Sequence, residues 1–185
     1  MPIIFKGVNE GSSPMDIVGS HQRCLVSAAL RTTGPIVELG VGWYSTPILH
    51  EIAKVQKRKL ITFDNNPDWL NQFKELESEY HQLVTLGWWG DMPLLDHYGL
   101  VFVDQGQPAE REYTIRRMFD RVDVFVMHDT EEGPAYGYNR TLPMFKYQYT
   151  DKCQIAWTTI ASNTIDVSEW VKDLPPESTP KPEVT

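Results

Sequence analysis

The sequence predicts an open α/β fold: a seven-stranded, mostly parallel sheet with helices on both faces and an antiparallel β-hairpin at its C-terminal end. Three observations predict it. Short apolar runs alternate with segments of helical periodicity. The runs are apolar at successive positions, as strands covered on both faces are. Beyond Tyr147 the alternation stops, and two strand-like runs follow one another across a turn.

Each element has its own signal. Ser13-Pro14 reads as an N-cap with proline at the first helical position. Ile17, Val18, His21, Leu25, Ala28 and Ala29 then recur at helical spacing until Gly34-Pro35. Ile36–Leu39 is a short buried strand that runs into a glycine turn. Thr46-Pro47 opens a helix with Ile48, Leu49, Ile52, Ala53 and Val55 as its apolar stripe. Leu60–Phe63 is the second strand. Asn66-Pro67 starts a helix carrying Trp69, Leu70, Phe73, Leu76 and Tyr80 on one face. Leu83–Leu86 and Leu100–Val103 are strands three and four, and Pro108 opens a helix that turns Ile115, Met118 and Phe119 inward. Val122–Met127 is strand five, followed by a helix around Arg140 to Tyr147. Gln154–Ile160 and Thr164–Val167, joined at Ser162-Asn163, form the hairpin. A single domain over residues 1–173 is expected, its first 33 residues a helical cover, with a proline-rich tail at 174–185.

Composition narrows the function. The 185 residues carry 17 Lys and Arg against 25 Asp and Glu, a net charge of −8, which argues against a nucleic-acid partner. No apolar run has the roughly 20 residues that a membrane helix needs. No basic stretch followed by an apolar core opens the sequence, so a cytoplasmic location is expected. Cys24 and Cys153 are read as buried or half-buried free thiols.

Open α/β sheets bind ligands beyond the carboxyl ends of their strands. There the first strand reads Glu38-Leu-Gly-Val-Gly42, followed by Trp43-Tyr44-Ser45. Gly40 and Gly42 permit a sharp turn and close approach of a ligand. An acidic residue two before the first glycine would repel a pyrophosphate and welcome an ammonium. That residue and the missing third glycine of GxGxxG argue against the alternative of an NAD-dependent oxidoreductase.

Glu38-Leu-Gly-Val-Gly42 resembles the first motif of class I S-adenosylmethionine-dependent methyltransferases, particularly small-molecule O-methyltransferases. Leu60-Ile-Thr-Phe-Asp64, Gly90-Asp91, Val101-Phe-Val-Asp104 and Phe125-Val-Met-His128-Asp129-Thr130 resemble the later motifs, in order, over about Gly34 to Val167. The resemblance implies a Rossmann-like sheet and S-adenosyl-L-methionine as cofactor. It implies that backbone at Gly40 and Gly42 approaches the methionine and adenosine portions, and that Glu38 faces the α-ammonium. Tyr44 and Ser45 follow in the same turn, where Tyr44 or Trp43 would face the sulfonium. Asp64, with Asn65 beside it, would take the ribose hydroxyls; a helix-start carboxylate is the competing reading. Trp89 would wall the adenine and Asp91 would meet its amino group. Trp88-Trp89 also reads as a core or subunit-contact pair, the latter implying a homodimer.

Asp104 and Asp129 end adjacent strands about 5 Å apart. Like the carboxylates of catechol-type O-methyltransferases they are expected to share Mg²⁺, although Thr130 stands where those enzymes have Asn. His128 is the candidate base; Asp104 is the other catalytic candidate and is also placed among the cofactor-binding residues, where it would orient the ligand. His21 reads as core. The function expected is methyl transfer to an oxygen, less readily a nitrogen, of a small-molecule acceptor. The alternative from another class is a non-catalytic S-adenosylmethionine- or S-adenosylhomocysteine-binding module.

Overall fold

A computed structural model describes residues 19–153 and 156–170. The central strands are β1 (Ile36–Leu39), β2 (Leu60–Asp64), β4 (Tyr98–Val103) and β5 (Val122–His128), with β3 (His81–Thr85) at one edge. β6 (Tyr147–Asp151) and β7 (Thr158–Ser162) complete a seven-stranded sheet of order β3-β2-β1-β4-β5-β7-β6. The first five strands are parallel, and β7 is antiparallel to both β5 and β6. Strand order reverses between β1 and β4, so the crevice of such a sheet opens at their carboxyl ends.

Helices cover both faces, which is why the strands read as continuous apolar runs. Ile36, Leu60, Leu100, Phe102, Val124 and Val126 point to one face. There they meet Cys24, Leu25 and Ala28 of α1 (Gln22–Arg31) and Leu49 and Ala53 of α2 (Thr46–Gln56). Val37, Leu39, Phe63, Val101, Val103 and Phe125 point to the other, against Trp89, Met92 and the Ile115 and Met118 of α4 (Pro108–Met118). α3 (Pro67–Leu70) lies between β2 and β3, while α5 (Gly133–Tyr136) and α6 (Tyr138–Thr141) follow β5.

Three expectations are corrected. The hairpin is built from β6 and β7, one strand earlier than the sequence suggested, and Thr164–Val167 is not a strand. The helix expected around Arg140 to Tyr147 stops at Thr141 and passes into a 3-10 turn at Leu142–Met144, because Pro143 cannot donate to a continuing helix. The helix after Asn66 lasts one turn and continues as 3-10 only to Leu76, since Glu77 is extended at φ −61° and ψ 135°. Asn66 caps that turn as expected, accepting from the Trp69 amide at 3.1 Å. Ser13-Pro14, Ile17 and Val18, the residues 154–155 and the tail at 174–185 lie outside the described residues.

The turn after β1 is clamped against β4. Gly40 has φ +94°, and a Cβ there would lie 2.6 Å from the Asp104 carbonyl oxygen. Neither the backbone angle nor the space admits a side chain. Gly40→Ala is expected to destabilise the chain by more than about 2 kcal/mol, through a left-handed conformation plus a backbone clash. A urea midpoint equal to that of the parent would contradict this clamp.

Candidate active site at the carboxyl ends of the strands

The glycine turn is held from inside the protein. Gly40 donates its amide to the Phe63 carbonyl at 2.9 Å, and Gly42 donates to Thr46 Oγ1 at 2.9 Å. These amides are therefore engaged, and the turn offers a ligand close approach rather than bare donors. Gly42 is half-buried, and a Cβ on it would meet only Ser45 Oγ, at 3.4 Å, leaving its outer side open. Asp64 fixes the same turn from β2: its Oδ2 accepts from the Val41 amide at 2.9 Å and its Oδ1 from the Asn66 amide at 2.8 Å. Each carboxylate oxygen has a further lone pair. Asn65 beside it is exposed, as is Asp91 beyond the 3-10 turn Trp89–Asp91.

Glu38 does not face a ligand. It is fully buried, accepting from Thr46 Oγ1 at 3.0 Å and Thr62 Oγ1 at 2.7 Å. It braces the turn from beneath, and a buried chain continues outward from it. Thr62 Oγ1 lies 2.9 Å from His81 Nε2, and His81 Nδ1 lies 3.2 Å from His50 Nδ1. Trp89 is likewise sealed in the core, 1% exposed, and offers no open face to an adenine. Trp88 is exposed and lies 5.4 Å from the Tyr113 ring. Trp43 packs 4.4 Å from Phe73 instead of facing the turn's ligand side. Tyr44 is half-buried: its carbonyl accepts from Gln22 Nε2 at 3.0 Å, and a Cβ on Gly19 would lie 3.2 Å from its ring. Gly19 and Gln22 thus pack against Tyr44. Ser45 is buried at the start of α2.

Asp104 and Asp129 do come together, but around Arg111. Its Nη2 lies 3.1 Å from Asp104 Oδ1 and 3.0 Å from Asp129 Oδ2. Its Nε donates to the Gln105 carbonyl at 2.7 Å, and its Nη1 to the His128 carbonyl at 2.9 Å and Tyr138 Oη at 3.2 Å. The guanidinium carbon sits 4.0 Å from the Tyr136 ring centroid. Asp129 adopts φ +58°, a left-handed conformation that its contacts to Arg111 and His128 help to hold. Arg111 stands in the first turn of α4, where a cation opposes the helix dipole. That misplaced charge is the signal by which sequence reasoning could have found it.

No protein-family model matches the sequence, and no curated protein does. Solved structures match in fold. An O-methyltransferase from Bacillus cereus in complex with S-adenosylhomocysteine aligns with a TM-score of 0.59 at 13% identity, covering 82% of this chain and 82% of that one. A methyltransferase from Podospora anserina, also bound to S-adenosylhomocysteine, aligns at 0.57 and 13% identity over 75% of each chain. The precorrin-6y C5,15-methyltransferase of Geobacter metallireducens aligns at 0.54 and 16% identity, over 88% of this chain and 99% of its own. This is the fold of the class I S-adenosylmethionine-dependent methyltransferases.

On that methyltransferase fold, Mg²⁺ between Asp104 and Asp129 does not fit. The Arg111 guanidinium occupies the space between the carboxylates and already supplies the positive charge. Glu131, a conceivable further ligand, accepts from the Trp157 amide at 2.7 Å. His128 is held from both sides. Ser20 Oγ donates to the Ala156 carbonyl at 2.6 Å and lies 2.9 Å from His128 Nε2. His128 Nδ1 faces Asp104 Oδ1 at 3.1 Å and Asp129 Oδ1 at 3.5 Å. Burial alone would lower its pKa, but the Asp104 hydrogen bond and charge, helped by Asp129, raise it. Burial would raise the pKa of Asp104, yet His128, His21 and Arg111 together hold it below its ordinary value. Cys24 is buried as expected, whereas Cys153 is exposed.

Two outcomes follow. Arg111→Met is expected to cost about 3–5 kcal/mol, because it leaves two adjacent carboxylates without their buried partner; chemical denaturation measures it, and a loss below 1 kcal/mol would show the bridge to be incidental. Burial pushes Glu38 from 4.5 up to about 7, against hydrogen bonds from Ser45, Thr62 and Thr46. Its folded state therefore holds a proton that the unfolded chain has released. The resulting stabilisation is full below about pH 4.5 and disappears as pH rises through 7, by roughly 3 kcal/mol in total. Glu38→Gln removes this component, so the Tm difference between variant and parent should shift in the variant's favour from pH 5 to pH 8. A difference independent of pH would refute it.

Proposed function

We propose that the chain is a methyltransferase that moves the methyl group of S-adenosyl-L-methionine to an oxygen of a small-molecule acceptor. The observation that carries this is the strand-end rim. An open-sided glycine turn, an acidic residue closing β2 and a second immediately after β4 converge at the point where strand order reverses. S-adenosylhomocysteine-bound proteins of the same fold, among them an O-methyltransferase, support the cofactor and the acceptor atom.

The residues present fit that cofactor. The open side of Gly42 gives close approach, Asp64 has lone pairs free for a ribose diol, and Asn65 and Asp91 stand exposed on the same edge. When bound, the cofactor supplies an electrophilic methyl group. The protein's share is placement of that group against a nucleophile with water excluded. Tyr44 is held against Gly19 and Gln22, while Asp104 and Asp129 are held rigid by Arg111. His128 orients Asp104 through its Nδ1 contact and is itself fixed by Ser20. Acceptor choice falls to the segments that flank this rim, Gln105 into the first turn of α4 and Glu131 through the short helices to Arg140.

Calorimetry with S-adenosylmethionine, S-adenosylhomocysteine and NAD tests the reading. Binding of both sulfur compounds and none of NAD is expected. Binding of NAD alone would overturn it, and binding without turnover over a panel of phenols, acids and amines would favour the non-catalytic module. Asp64→Ala should weaken S-adenosylhomocysteine by about 1–3 kcal/mol, roughly 5- to 150-fold in Kd, with a folded chain by circular dichroism. An unchanged Kd would place the ribose elsewhere.

A further inference from the structure

Among the buried polar groups, one imidazole stands apart. His21, immediately before α1, is 2% exposed, and neither Nδ1 nor Nε2 has a hydrogen-bond partner. An imidazole nitrogen that carries no hydrogen presents a lone pair. Buried polar atoms are rarely left unpaired, and one that is calls for a missing ligand, water or ion. Its ring lies edge-on to His128 at 4.8 Å between centroids and 4.9 Å from Phe102.

We propose that His21, Asp104 and His128 form a binding site for one divalent transition-metal ion. Donor atoms of the three residues lie within 4.8 Å of one another. Ligands bound at about 2.1 Å to one ion stand roughly 3–3.5 Å apart, so side-chain rotations that bring the donors closer by about 1–2 Å close the set. The His128 Nδ1 to Asp104 Oδ1 separation, 3.1 Å, already has that span. The ion takes the seat of the Nδ1 proton, which leaves to solvent. His128 Nε2–H keeps its hydrogen bond to Ser20, the outer contact that orients a ligating imidazole. Arg111 and His128 both contact Asp104 Oδ1, leaving Oδ2 clear of either. Asp129 offsets part of the added charge.

Two imidazoles and one carboxylate select Zn²⁺, Co²⁺, Ni²⁺ or Fe²⁺ over Mg²⁺, which prefers oxygen ligands. Three protein ligands leave a coordination position open at the rim, as in sites that act on a substrate rather than merely brace a fold. This site shares Asp104 with the Arg111 bridge and does not depend on the methyl-transfer reading.

The test uses the full chain, freed of metal with chelator and titrated separately with Zn²⁺, Co²⁺ and Mg²⁺ by calorimetry. One Zn²⁺ or Co²⁺ per chain with a Kd below about 10 µM, and no Mg²⁺ response, is expected. His21→Ala, shown to be folded by its melting curve, should weaken Zn²⁺ at least about 100-fold. X-ray absorption on the zinc-loaded parent chain needs no variant, and should return two imidazoles with oxygen and no sulfur. Failure of Zn²⁺ and Co²⁺ to bind, a sulfur ligand, or undiminished affinity in folded His21→Ala would each overturn the proposal.

Discussion

Two carboxylates brought to one rim by neighbouring parallel strands repel unless something positive stands between them, and in this chain that something is Arg111. Its donors also hold the carbonyls of Gln105 and His128 and the hydroxyl of Tyr138, while Tyr136 covers its face. One side chain from α4 therefore ties together the ends of β4 and β5 and the short helices that follow. A lysine would meet the charge but not the directions, since five donors in a planar fork are what reach separate acceptors at once. The left-handed Asp129 is held by this arrangement.

The second constraint is steric. Gly40 brings β1 so close to the backbone of Asp104 that the turn and the acidic rim share one rigid block. Asp64 then fixes the following residue from the other neighbouring strand. The candidate cofactor turn thus rests on side chains and backbone that the fold itself orders, which is how a site gains precision without a ligand to organise it.

What was legible in the sequence depended on whether burial was symmetric. Ile36–Leu39, Leu60–Phe63, Leu100–Val103 and Val122–Met127 are covered on both faces, so their apolar runs announce central strands, and the acidic residues at or beyond their ends mark the rim. Tyr147–Asp151 is an edge strand, mostly half-exposed and rich in polar residues, and carries no such run. Thr164–Val167 alternates like a strand but pairs with no strand among the described residues. The orientation of Glu38 was hidden for another reason: its motif suggests a ligand contact, whereas Thr46 and Thr62, distant in sequence, consume both oxygens. Arg111 and His21 take their roles wholly from tertiary neighbours. A pattern read along one segment cannot show that a lone arginine will sit between two strand ends.

The line of contacts from Glu38 through Thr62 and His81 to His50 has a directional property. Burial leaves His81 neutral, with a pKa near 4, and lowers that of His50, so each ring carries one hydrogen and must choose which nitrogen holds it. With Glu38 ionised, Thr62 gives its hydrogen to the carboxylate. His81 must then donate from Nε2 and accept at Nδ1 from His50. With a proton on Glu38 Oε2, every link runs the other way, and the hydrogen of His81 moves to Nδ1. The tautomer of an imidazole on the edge strand β3 thereby reports the ionisation of a carboxyl group sealed beneath the glycine turn. Nitrogen-15 chemical shifts would make an otherwise silent charge visible from the flank of the sheet.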